Sequence, residues 1–540
     1  MSFVAAMNQP EHFGTGVKGS DVYTEAGVGD DRVVFYTNLV RDLEPSTIKR
    51  FVSKLLQQSE EVQRDLLVLA FQTRDIRGGK GERDLFTHCM SNILEERPEW
   101  ANECLQLVPT YGAWFDLWKL WNKCSNETVR QAIDTIVKEQ FTKDQESEHP
   151  SLLAKWLPRE KSKYDHLAYH FAHQLFPTKE GQKSDVALRS YRKAVADLNR
   201  RLTTTEINMC GQTWANIEPE HVPGRLLKRC KRAFLNQTDN GKIRYEGNED
   251  RETCRMHFET LAEDVKSGKV ISKGGQTTMP HEHVHEILQS RWKDLDPTEE
   301  TLRQGQWDAI RQTTLQAGGL GKCVFMCDFS GSMDGVPKEV SLALGILGSE
   351  CAHEAFKDHI LTFDSTPAWC SFKGKTTLRE KVRAVGSFGQ GLSTNFQAAC
   401  DLILKRLVQY NVPAAEAPTD LIVLTDMGFD EAARDTTGQY RHANKTKAWE
   451  THFEMIQSAF VKLGYTPPRI VCWNLRAEYK DYHARAHTVG VVQLSGWSPS
   501  AFKAIQGSGV VVETPYQGMR HILDDTRYDP VRDAFKRLKK

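Results

Sequence analysis

Asp328-Phe329-Ser330-Gly331-Ser332 follows directly on the apolar run Cys323-Val324-Phe325-Met326-Cys327, so one carboxylate and two hydroxyls stand at the end of an expected buried strand. Alternate side chains of Asp328-x-Ser330-x-Ser332 can converge on one point as the chain leaves that strand. Two more segments offer the same kind of ligand. Gly386-Ser387-Phe388-Gly389-Gln390-Gly391-Leu392-Ser393-Thr394-Asn395 is a Gly-rich turn that presents Thr394 just before an expected helix, and Asp426 closes a second apolar run. The set is all oxygen: the carboxylates of Asp328 and Asp426 and the hydroxyls of Ser330, Ser332 and Thr394. Small octahedral Mg²⁺ (or Mn²⁺) suits such ligands and sheds its waters reluctantly. Neutral hydroxyls leave much of its charge uncompensated, so a partner's carboxylate or phosphate can fill an open position. Asp-x-Ser-Gly-Ser alone is also an ordinary turn after a strand; three loops in order make a site the stronger reading.

The elements that must position these loops form the second half of the chain. After Ala317-Gly318-Gly319, short β-rich runs at 322–327, 360–363, 421–425, 470–473 and 491–494 alternate with helical patterns at 341–354, 378–385, 396–409 and 449–463. Such alternation implies an α/β, mostly parallel, doubly wound sheet. Ligands bind such sheets outside the carboxyl ends of the strands, near the topological switch point. Asp364 and Asp430 also fall near this edge, in structural more than catalytic positions.

From about residue 33 to 307 the apolar period is helical, as in Phe51, Leu55, Leu56, Val62, Leu66, Leu67 and Leu69. Further amphipathic segments cover 83–94, 114–121, 128–141, 186–202 and 253–266, which suits a curved array of helix pairs. The expected domains are a flexible N-terminal tail (1–30), an α-helical repeat-like domain (31–316) and the α/β domain (317–540).

The trio Asp328-x-Ser330-x-Ser332, Thr394 and Asp426 resembles the metal-ion-dependent adhesion site (MIDAS) of the von Willebrand factor A family. That resemblance implies Mg²⁺ held by the hydroxyls of Ser330, Ser332 and Thr394, with Asp328 and Asp426 binding directly or through water. The family often has Asp-Gly at the third loop, where this chain has Asp426-Met427. In the other half, Arg74-Asp75-Ile76-Arg77-Gly78-Gly79-Lys80-Gly81-Glu82-Arg83, Tyr111-Gly112-Ala113-Trp114-Phe115-Asp116-Leu117, Lys155-Trp156-Leu157-Pro158 and Tyr191-Arg192-Lys193 resemble the motifs of the domain-of-unknown-function 2828 family. There a helical region precedes an A-like domain, and no biochemical activity comes with the resemblance. The order of parts is also similar to the TROVE, or Ro ribonucleoprotein, family, in which HEAT-like helical repeats bind RNA. RNA or ribonucleoprotein binding is implied by that analogy of architecture.

Two basic groups bear on it. Arg225, Lys228, Arg229, Lys231 and Arg232 fall close together, and Arg74, Arg77, Lys80 and Arg83 flank a glycine turn. Such residues can hold phosphates while aromatic rings stack on bases. They equally suit a solvated helix face and a sharp helix-helix corner.

Other motifs weaken on inspection. Gly78-Gly79-Lys80 is followed by Gly81 where a phosphate loop needs Ser or Thr. His281-Glu282-His283-Val284-His285 contains His-Glu-x-x-His, but Pro280 puts the first histidine at a helix start. No Ser-His-Asp or Cys-His set is evident. The 71 basic and 71 acidic residues cancel, so an acidic partner must find a local patch. The 12 cysteines are scattered with no Cys-x-x-Cys, as expected of reduced thiols. No run nears the roughly 20 apolar residues of a membrane helix, so the reading is a cytoplasmic protein without membrane contact.

The function expected from sequence is therefore a non-enzymatic, metal-dependent binding protein that takes RNA or ribonucleoprotein through its helical domain. The alternative is a protein scaffold in which a partner's Asp or Glu completes the metal shell. A zinc-dependent hydrolase is the minor alternative.

Overall fold

The computed structural model describes residues 12–177, 185–272, 277–290, 296–362, 367–385, 396–429, 452–506 and 513–539. The chain forms two compact units, one of residues 1–44, 278–295 and 307–525, the other of residues 45–277, 296–306 and 526–540.

The first unit begins with an antiparallel hairpin, β1 (Phe13–Thr15) and β2 (Asp21–Tyr23). Its sheet holds β3 (Cys323–Cys327), β4 (His359–Thr362), β5 (Ala368–Ser371), β6 (Asp420–Thr425), β7 (Arg469–Asn474) and β8 (Val491–Ser495), in the spatial order β5-β4-β3-β6-β7-β8. Every neighbouring pair is parallel except β4 and β5.

Strand side chains alternate between faces, and both faces are covered, which is why the strands read as unbroken apolar runs. Phe325, Cys327, Ile422, Leu424, Val471 and Trp473 enter one core with the helix Val336–Cys351. Val324, Met326, Leu421, Val423, Ile470 and Cys472 enter the other with the helix Phe396–Gln409. The first helix sits close on β3 through its small residues. A Cβ on Gly348 would lie 2.1 Å from the Phe325 ring.

The chain leaves β3 toward β4 and β5, then crosses to β6 on the other side of β3. The switch point therefore lies between β3 and β6, which pair with Cys327 opposite Leu424. Asp328 and Asp426 leave the sheet there side by side.

The second unit is helical, with Pro45–Leu56, Glu60–Arg74, Arg83–Glu96, Trp114–Lys123, Glu127–Glu146, Asp165–Leu175, Asp185–Leu202, Gly224–Phe234 and Glu249–Lys266 as its longer helices. Side-chain caps mark several starts: Ser59 accepts from the Val62 amide, Asn126 from Thr128 and Asn248 from Arg251. Phe234 and Phe258 stack at 4.5 Å in its core.

The unit boundaries differ from a single cut near residue 316. Residues 12–30 carry β1, β2 and the helical turn Glu25–Val28 where a flexible tail is expected. At the other end, the helix Asp529–Arg537 packs on Glu60–Arg74 in the helical unit. All cysteines are unpaired and Cys210 alone is exposed. No helix among the described residues is long and apolar enough to cross a membrane.

Candidate metal centre

Asp328 and Ser330 are fully buried, and Asp426 is buried beside them. The Asp328 carboxylate accepts from the Ser330 amide at 2.9 Å and from the Thr425 hydroxyl at 2.8 Å, while the Asp328 amide donates to the Leu424 carbonyl at 3.0 Å. These bonds join the ends of β3 and β6. The Ser330 and Ser332 hydroxyls lie 3.1 Å apart, so alternate residues of the loop do converge. Asp426 Oδ1 accepts from the Gly428 amide at 3.1 Å. Met427 takes a φ of +73° in this turn, and the ring of Tyr479 lies where a Cβ on Gly428 would stand. Asp426-Met427-Gly428 thus makes its turn with glycine one position later than in Asp-Gly.

Burial and the neighbouring charge of Asp426 push the Asp328 carboxyl up to about 7. Burial likewise raises Asp426, against the Ser332 hydroxyl and the cations Lys18 and Arg476, which lower it. Adjacent buried carboxylates are costly as bare anions, and a divalent cation would relieve that cost.

The rim is built by residues that sequence reasoning missed. Lys18, from the loop between β1 and β2, places Nζ 3.0 Å from Ser332 Oγ and 5.2 Å from the Tyr479 ring centre. Arg476 donates to the Ser332 carbonyl and pairs with Glu478 at 3.1 Å. Asp481 accepts from the Val17 amide at 3.2 Å. No spacing rule links them, since Lys18 and Ser332 are 314 positions apart.

The donor set fits Mg²⁺. Asp426 Oδ2 is buried without a hydrogen-bond partner, next to two converging hydroxyls and a second carboxylate. Ser330, Ser332, Asp328 and Asp426 would hold the ion. Thr394, and also Asp364 and Asp430, lie outside the described residues. Among the described residues no three His, Cys, Asp or Glu side chains gather as a metal set.

Most of the basic candidates are engaged in the fold. Arg74 is buried and pairs with the fully buried Asp116 at 2.6 Å, and Arg83 pairs with the same carboxylate at 2.9 Å. Lys80 is buried, which pushes its ammonium down to about 7. Lys231 is buried as well, and Arg232 pairs with Glu299 at 3.1 Å and Asp239 at 3.3 Å. Arg74, Lys80 and Lys231 are thus corrected from phosphate contacts to interior residues. For Arg74 and Lys80 the reason is a tight backbone corner, where the Lys80 amide donates to the Gln72 carbonyl at 3.0 Å and Glu82 to Thr73 at 2.8 Å, and for Lys231 it is a place on the buried side of the helix Gly224–Phe234. Arg77, Arg225 and Arg229 are exposed, with Lys228 partly so.

The histidine cluster lies on the helix Pro280–Gln289, which starts at Pro280. His281 packs on Trp497, His283 bonds to the Thr278 hydroxyl, and His285 pairs with Glu339 at 2.9 Å. The i, i+4 pair His281 and His285 therefore meets different partners.

Residues 126–320 match DUF2828, a domain of unknown function, and residues 322–534 match DUF7788, another domain of unknown function. The chain is 28% identical over 518 residues to "Uncharacterized protein L728" of Acanthamoeba polyphaga mimivirus, an alignment covering 91% of this chain and 85% of that protein. No solved structure matches the chain. What the chain is similar to thus supplies two domain families and a relative of the same extent, each without an assigned activity.

Proposed function

We propose that this protein is a non-enzymatic, metal-dependent binding protein whose α/β unit is a von Willebrand factor A-like module with a MIDAS-type Mg²⁺ site. The observation that carries this reading is the orphaned Asp426 Oδ2 beside Asp328 and the paired Ser330 and Ser332 hydroxyls, at the switch point of the sheet. Bound there, Mg²⁺ would supply an open coordination position for an anionic oxygen of a partner. The chain's own residues orient the hydroxyls, exclude water from Asp328 and keep both carboxylates at one edge. Mn²⁺ titration by calorimetry tests the site: the wild type should bind one ion and the Ser330→Ala/Ser332→Ala double variant none. Equal binding by both rejects the reading.

RNA or ribonucleoprotein is the second partner class, and a specific feature of the helical unit favours it. On the helix Gly224–Phe234, Arg225, Lys228, Arg229 and Arg232 share one face at i, i+3, i+4 and i+7, while Leu226, Leu227 and Phe234 are buried opposite. That face can track a phosphate backbone. A partner's Asp or Glu at the metal remains the reading for a purely protein assembly, and chelation by EDTA separates the two, because only the latter requires the ion.

A further inference from the structure

The loop between β1 and β2 reaches into the cation site from a distant part of the chain. Gly16 donates to the Ser20 carbonyl at 2.7 Å in the opposite sense of the turn in which Gly19 donates to Gly16 at 3.0 Å, and Gly19 adopts a φ of +92°. This tight turn sets Lys18 near its tip. The ammonium meets the Ser332 hydroxyl at 3.0 Å and the face of Tyr479, and its charge acts on both Asp426 and Asp481. Ser332 and Asp426 are the same groups that the proposed function assigns to the divalent cation.

We propose that the β1–β2 hairpin is a built-in competitor for this site: Lys18 serves as a tethered counter-cation for Asp426, and a divalent cation that binds there drives the hairpin off. The inference rests on the metal-site reading above. Its physical basis is charge. Lys18 already offsets part of the acidic cluster, and a second cation drawn to the same hydroxyl and carboxylate meets it at short range, where like charges repel strongly even at protein-surface dielectric. One of the two must yield.

The hairpin has little stability of its own. Its strands are three residues each, too short to be stable alone. Besides Lys18, its attachments include the Val17 amide on Asp481 at 3.2 Å, the close approach of Gly16 to the same carboxylate, the Tyr23 amide on the Tyr482 carbonyl at 2.7 Å, and Arg485 over the rings of Phe13 at 5.5 Å and Tyr23 at 5.0 Å. Asp481 thus holds the loop at its backbone while Lys18 is aimed past it. Because such coupling is reciprocal, Lys18 weakens the cation by the same factor by which the cation weakens hairpin docking.

The test is Mn²⁺ affinity of the full chain by calorimetry, for wild type, Lys18→Gln and Lys18→Arg, with amide exchange of residues 13–23 followed with and without Mn²⁺. Lys18→Gln should bind Mn²⁺ about tenfold more tightly, Lys18→Arg should stay near wild type, and Mn²⁺ should speed exchange of the wild-type hairpin about tenfold. Equal Mn²⁺ affinity in all three with unchanged exchange overturns the competitor and leaves the metal site standing. Weaker binding by Lys18→Gln overturns it too, since Lys18 would then assist the ion. If no variant binds Mn²⁺, and Ser330→Ala/Ser332→Ala matches wild type, the metal reading falls and takes this inference with it.

Discussion

The Thr425 hydroxyl donates a 2.8 Å hydrogen bond to Asp328 Oδ2 and so ties the end of β6 to the end of β3 at the switch point. It also accepts from the Met427 amide at 3.2 Å, which starts the turn that carries Asp426. Thr425→Val keeps the shape and the β-branch but leaves a buried carboxylate oxygen without its donor. The cost should be about 1–3 kcal/mol. Thermal melting of the metal-free protein should show the loss, and Thr425→Ser should recover most of it; a Thr425→Val variant that melts with wild type would show that the bond contributes nothing.

Asp426 gives the opposite sign. Burial is the largest influence on its carboxyl and raises it, ahead of the opposing help from Ser332, Lys18 and Arg476. The ionised form is therefore costlier in the fold than in water, a cost that a metal site would exploit. Asp426→Asn should raise the metal-free melting temperature by about 2–4 °C per kcal/mol relieved, and lower Mn²⁺ affinity more than about 100-fold. A destabilised Asp426→Asn protein would contradict the first expectation.

Much of the α/β unit was legible because burial on both faces makes strands such as β3, β6 and β7 continuous apolar runs, and the candidate residues Asp328 and Asp426 follow β3 and β6. β5 was not, since Ala368–Ser371 is short and half exposed, with Trp369 50% accessible. The hairpin strands are shorter still. The rim residues Lys18, Arg476 and Asp481 come from tertiary structure alone, as does the fate of the basic turn. A stretch rich in glycine and charge reads as surface, yet Asp75 in that turn is fully buried and is held by Arg527 from 452 positions away and by the Tyr528 hydroxyl. Local pattern carries no information about such partners.

Lys80 makes stability depend on pH. Burial pushes its ammonium down to about 7 from an ordinary 10.5, opposed by Cys89 and Glu82. Between those values the unfolded chain holds a proton that the folded chain does not, so stability should rise with pH across that window. Cys89 stays neutral there, because burial pushes its thiol up to about 12. Lys80→Met should be more stable than wild type at pH 7 and should lose this slope. Denaturation midpoints at about pH 7 and about pH 9 measure both, as groups common to the two proteins cancel; a parallel rise in both proteins would refute the assignment.

Arg74 and the pair Arg225 and Arg229 separate fold from recognition. Arg74→Ala leaves the fully buried Asp116 with Arg83 at 2.9 Å as its ion pair, and breaking a buried pair costs about 3–5 kcal/mol. Arg225 and Arg229 are exposed, so Arg225→Ala/Arg229→Ala should change stability by less than about 0.5 kcal/mol. If the basic face of the helix Gly224–Phe234 contacts phosphates, the double variant should bind single-stranded RNA more weakly, whatever its sequence. The slope of log affinity against log salt should shrink by about 0.7 for each lost contact. Both consequences follow from the same geometry, because residues at i and i+4 lie on one side of a helix and reach one stretch of backbone. An unchanged salt slope would remove this face from the RNA reading and leave the proposed metal site at Asp328 and Asp426 as the proposed point of recognition.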